Sequence, residues 1–140
     1  MPTIKPFLLR LMRYASLRGQ IKLGPEERLC IQFAAELRAA VLEGRFKGVF
    51  AHPANELAYG HKTGIKGAIS KAMGMIAGTP DYLFLQRSAS LALEAKAPGG
   101  TQTPNQRDFE EWCVLNLIPY EVFRTVEEGL SILKERGFLE

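Results

Sequence analysis

Several features are missing from this 140-residue chain, and each absence removes a class of function. No run of eighteen apolar residues occurs, so no membrane-spanning helix is expected. Only two cysteines are present, Cys30 and Cys113, far apart and without CxxC spacing. That pattern speaks against a disulfide framework and a zinc site and suits a reducing compartment; both thiols sit among apolar residues and read as buried. There is no Walker-type phosphate loop, so no nucleotide cofactor is expected. No Ser/His/Asp or Cys/His arrangement supports a nucleophilic hydrolase. Residues 1–25 contain no acid.

What is present is an ordinary globular composition, 46% apolar and 24% charged, of a length that suits one domain with one moderate core. The net charge of +3 is unevenly spread. The first 25 residues carry Lys5, Arg10, Arg13, Arg18 and Lys22, and the rest of the chain has a net charge of −2. Within that rest, residues 44–80 are again basic, with Arg45, Lys47, Lys62, Lys66 and Lys71 against Glu56 alone. Local basic segments suit a polyanion, although such runs are often only solvated faces.

Residues 4–18 alternate apolar and basic groups and predict a short amphipathic helix. It is too broken for a secretory signal and too short to press as a transit peptide. We read residues 1–25 as an arm, packing on a partner subunit, on nucleic acid or on its own core. Residues 26–140 then form the single domain.

Gly24-Pro25-Glu26-Glu27 predicts a helix start, because proline has no N–H to waste in the first turn and acids favour the positive end of the dipole. Apolar spacing carries that helix to about Glu43. A short strand is expected at 49–51, a loop at 54–61 and a glycine-weakened helix at 62–75. Two strands, 81–87 and 90–96, with a polar turn between them predict a β-hairpin. Thr103-Pro104 caps another helix, Tyr120-Glu121-Val122-Phe123 a last strand, and Thr125 a last helix. The order α-α-β-α-β-β-α-β-α predicts an α/β fold, a mixed central sheet flanked by helices.

Chemistry concentrates in the hairpin. Period-two alternation puts Glu94 and Lys96 on one face of the second strand, and Asp81 at the start of the first can reach Glu94 if the register allows. Two carboxylates that close repel unless a cation lies between them. Mg²⁺ typically uses one or two carboxylates together with waters and phosphate oxygens, and the Ala95 carbonyl offers a further oxygen. Lys96 beside such an ion can hold the attacking water and offset phosphate charge. The plainer alternative is a salt bridge between Glu94 and Lys96.

Pro80-Asp81 followed by Glu94-Ala95-Lys96 resembles the PD-(D/E)xK nuclease motif. With Gly78-Thr79-Pro80-Asp81 before it, Gly99-Gly100 after it and Gln106 opening the next helix, the chain is similar to the virus-type replication-repair nuclease (VRR-NUC) domain over about residues 26–138. Pro53-Ala54-Asn55-Glu56 matches a Pro-Asn-Gly or Pro-Asn-Glu segment of that family with one residue inserted.

The resemblance implies a restriction-endonuclease-like fold and a Mg²⁺- or Mn²⁺-dependent deoxyribonuclease. It implies metal ligation by Asp81, Glu94 and the Ala95 carbonyl, catalysis by Lys96, and support of the phosphate or water by Gln106. It also implies an acid on the first helix, where Glu27 is the nearest candidate and Glu26 and Glu36 are the others. The family spacing of Glu four residues before Gln is not met, because Arg28 stands four before Gln32, and Glu27 and Gln32 are about 140° apart around a helix.

Asn55, Lys62, Lys66 and Lys71 are the candidate DNA contacts, with a solvated lysine face as the alternative. His52 and His61 read as loop histidines, and Tyr59 and Tyr82 as packing residues rather than base-stacking ones. The implied setting is a structure-selective endonuclease on branched or flapped DNA, acting as a homodimer or higher homo-oligomer in the cytoplasm of a bacterial or phage-infected cell. The competing reading is a non-catalytic nucleic-acid-binding or assembly protein that keeps the nuclease fold.

Overall fold

Prolines and capping residues set where most of the helices begin. The computed structural model describes residues 3–14, 17, 21–53 and 64–140. Its helices are α1 (Pro6–Leu11), α2 (Pro25–Leu42), α3 (Ile65–Ala72), α4 (Pro104–Leu115) and α5 (Val126–Glu135). Its strands are β1 (Val49–Ala51), β2 (Tyr82–Leu85), β3 (Ser90–Ala95) and β4 (Tyr120–Phe123). Proline opens α1, α2 and α4, where its missing N–H costs no hydrogen bond. Thr103 and Thr125 cap α4 and α5 through their side chains.

The strands form one mixed sheet in the order β1-β2-β3-β4. β1 and β2 run antiparallel, β2 and β3 form the expected hairpin, and β4 joins β3 in parallel. The element order matches the sequence pattern. Among the described residues of the helix expected at 4–18, Pro6–Leu11 are α-helical, and none of their side chains is buried. Short helices are marginal without an apolar face packed on a core, which fits the shorter span. The arm does touch α2, with the Arg38 guanidinium 4.6 Å from the Tyr14 ring centre. The helix expected at 62–75 ends earlier, capped by Met73, with Gly74 at φ +113°, a backbone state that continues no α-helix. Lys62, Asn55, Tyr59 and His61 lie outside the described residues.

One face of the sheet carries the main core. α2 sends Leu29, Phe33, Leu37 and Ala40 inward at helical spacing. They meet Tyr82 and Phe84 of β2, Leu91, Leu93 and Ala95 of β3, Phe123 of β4 and Leu133 of α5. Phe33 sits at the centre, its ring 5.2 Å from that of Tyr82 and 4.5 Å from that of Phe123. Each Leu or Phe among them contributes about 1.5–3 kcal/mol on burial. The opposite face meets α4, where Leu83, Ala92, Phe109, Trp112, Cys113 and Ile118 line an apolar pocket of about 280 Å³. Burial among these residues pushes the Cys113 thiol pKa up, as expected for an inert buried cysteine. Among the described residues no helix is long and apolar enough to cross a membrane.

Candidate active site

The site lies where the hairpin's open end meets the N-terminal ends of α2 and α4. Register decides it. Tyr82 pairs with Leu93, so the next residues outward, Asp81 and Glu94, come opposite one another. Opposed residues of an antiparallel pair share a face, so both carboxyl groups are directed to the same side. The Asp81 N–H donates to Glu94 Oε1 at 3.2 Å, and the Asp81 Oδ2 accepts from the Ala95 N–H at 2.8 Å. The Asp81 side chain thus takes the place of a ladder partner for β3 beyond the end of β2.

Glu94 is 1% exposed. Its Oε2 is buried and has no hydrogen-bond partner. Burial, then the Asp81 charge and a hydrogen bond with the Asp81 carboxyl, push its pKa up to about 9; Lys96 and the Asp81 N–H pull the other way. Tyr120 feels the same group, its phenol raised first by burial and then by the Glu94 charge. Lys96, two residues on, is also buried, and its Nζ lies 4.0 Å from Glu26 Oε1.

A cavity of about 700 Å³ opens over this arrangement. Asp81 and Glu94 line it from the sheet, Glu26, Glu27 and Cys30 from α2, Thr103, Asn105 and Gln106 from α4, and His52, Gly78 and Thr79 from the loops. Gly78 explains how the two elements come so close. Its φ is +88°, and a Cβ there would fall 2.2 Å from the Asn105 carbonyl oxygen. Only glycine satisfies both the turn and that approach, so the Gly-x-Pro-Asp turn seats directly on the start of α4.

The two helix-borne candidates both have capping duties. Glu27 Oε1 accepts the Gly24 N–H at 2.8 Å, closing the first turn of α2. Gln106 Oε1 accepts the Thr103 N–H at 2.9 Å, and Thr103 Oγ1 in turn accepts the Gln106 N–H. The amide nitrogen is therefore the end of Gln106 left to donate to a ligand. Of the three acids considered on α2, Glu26 is the one beside Lys96, while Glu36 is exposed and outside the cavity. Lys66 and Lys71 are exposed on α3 and do not line the cavity.

Two contributors escape sequence inspection. Arg124, just past β4, donates from Nη1 to the carbonyls of Ala97 at 2.9 Å and Gly100 at 2.8 Å, bracing the turn that leads from Lys96 towards α4. His52 donates from Nδ1 to the Asp81 carbonyl. No local pattern announces either contact, because each spans more than twenty residues of sequence.

No protein-family model, curated protein or solved structure matches the chain.

The donor set itself can be tested against a divalent cation. Among the described residues no three His, Cys, Asp or Glu side chains converge as a ligand group. Two carboxyls, those of Asp81 and Glu94, do stand opposite one another, and one carries a buried, unpartnered oxygen. That set fits Mg²⁺ or Mn²⁺, which need few protein oxygens, and does not fit a structural zinc site.

Proposed function

We propose that the chain is a metal-dependent deoxyribonuclease of the VRR-NUC type, with a restriction-endonuclease-like sheet. The observation that carries this is Glu94. A carboxylate 1% exposed, with an orphaned oxygen and a second carboxyl beside it, is costly in a domain of this size unless it has a charge to meet. A bound divalent cation supplies charge stabilisation at phosphorus and a more acidic water. Asp81 and Glu94 are the side chains that hold it, with the Ala95 carbonyl as a backbone oxygen. Lys96 orients the attacking water and offsets negative charge on the phosphate. Gln106 donates its amide to a phosphate oxygen from the start of α4. Hydrolysis is in line, with no covalent enzyme intermediate.

The proposed recognition is of DNA shape rather than base edges. Branched or flapped DNA is the proposed substrate, a homodimer or higher homo-oligomer the proposed assembly, and the cytoplasm the proposed location. A second reading, DNA binding without cleavage, is favoured by the α2 cap: Glu27 spends a carboxylate oxygen there, and among the described residues no third acidic side chain joins Asp81 and Glu94.

A nicking assay on supercoiled plasmid separates the two. With Mg²⁺ or Mn²⁺ the wild type converts the plasmid to open circle, and EDTA stops it. Asp81→Ala and Lys96→Ala, folded by circular dichroism, lose roughly 100-fold or more. Cleavage in EDTA, or wild-type rates in those variants, rules the nuclease out. DNA binding without nicking in either metal supports the second reading.

A further inference from the structure

The Asp81 carboxyl must stand still if it is to share a ligand with Glu94, and three of its atoms are tied. Its N–H donates to Glu94, its Oδ2 accepts from Ala95, and its carbonyl accepts from His52 at 2.5 Å. The first two ties lie within the hairpin. The third comes from the residue that follows the edge strand. β1 and β2 pair as far as Ala51 with Leu83, so His52 follows opposite Tyr82 and its ring packs on that of Tyr82, 5.1 Å between centres. Tyr82 is fixed in turn, since its hydroxyl donates to the Cys30 carbonyl at 3.0 Å.

A carbonyl oxygen only accepts, so the imidazole nitrogen facing Asp81 must carry the proton. We infer that His52 is a positioning residue for Asp81: its Nδ1–H, presented just past the end of β1, holds the Asp81 main chain so that the carboxyl meets the Ala95 N–H and stands opposite Glu94. Its functional weight rests on the nuclease proposal; the positioning itself does not.

Two substitutions separate the hydrogen bond from ring packing. His52→Asn keeps an N–H donor at the same remove from the backbone and loses the ring. His52→Phe keeps a ring on Tyr82 and loses the donor. The metal-free readout is amide hydrogen exchange at Ala95, referred to Leu93 on the same strand. We expect His52→Phe to lower the relative protection of the Ala95 N–H by about tenfold and His52→Asn to leave it within about threefold of wild type. Calorimetric Mg²⁺ titration then follows the same order, the phenylalanine variant binding more weakly than the asparagine one.

If His52→Phe retains protection, or if His52→Asn loses it while the phenylalanine variant does not, the hydrogen bond has no positioning role. If protection follows the expected order but no variant, wild type included, binds Mg²⁺, the positioning stands and the nuclease reading fails. Should His52→Phe not fold, His52→Leu removes the donor with less bulk and serves the same comparison.

Discussion

Glu94→Gln is the sharpest probe of the site, because it removes a titrating proton and almost nothing else. In the fold, burial and Asp81 raise the Glu94 pKa from 4.5 to about 9. A carboxyl raised in this way binds its proton more tightly folded than unfolded. Its contribution to stability is therefore full below the unfolded pKa and is lost as pH rises towards the folded one. Each pH unit between the two values costs about 1.4 kcal/mol, so metal-free protein loses about 3 kcal/mol from this group between pH 5 and 7.

Other groups titrate over that range, so the quantity to measure is a difference. Urea unfolding of wild type and Glu94→Gln in EDTA, from pH 5 to 8, isolates it. The wild type should lose stability relative to the variant as pH rises, by about 3 kcal/mol from pH 5 to 7, or about 10 °C in Tm. Mg²⁺ should stabilise the wild type more at pH 8 than at pH 5, and Glu94→Gln much less at either, because the cation competes with the proton for the same oxygens. Parallel pH profiles for the two proteins in EDTA would refute the reasoning, since they would mean that Glu94 is ionised in the fold as easily as in the open chain.

The remaining predictions concern the frame around the carboxylates. Gly78→Ala needs a Cβ 2.2 Å from the Asn105 carbonyl oxygen at a φ of +88°, so it should cost about 2–4 kcal/mol in chemical denaturation and weaken Mg²⁺ binding by moving the turn off α4. Thr103→Ala and Gln106→Ala each break the α4 capping box, and each should cost about 1 kcal/mol of stability. Only Gln106→Ala should also slow plasmid nicking well beyond what that loss explains; equal rates in the two variants would leave Gln106 with a capping role alone.

Much of the candidate site was legible because its parts obey local rules. Glu94 and Lys96 share a face by the two-residue period of a strand. Asp81 enters at the mouth of a hairpin whose turn is marked by polar residues, and the cap of α4 is written in Thr103-Pro104 and Gln106. The element boundaries that strayed belong to α1 and α3, helices with no buried side chain, where periodicity has no packing to enforce it.

The chain's local chemistry determined its helices, its hairpin and the two residues that face one another across it, because caps, turns and alternation act over a few residues. Tertiary structure decided the rest. Which acid of α2 stands beside Lys96 depends on how that helix is rotated over the sheet, and Glu26 and Glu27 differ by only 100° around it. Whether Gln106 reaches the site depends on Gly78 admitting the start of α4. Whether a loop histidine steadies Asp81 depends on where the edge strand stops pairing. Even the high pKa of Glu94 is a property of the folded core, since the same carboxyl in the open chain sits in water and keeps its proton no longer than any other.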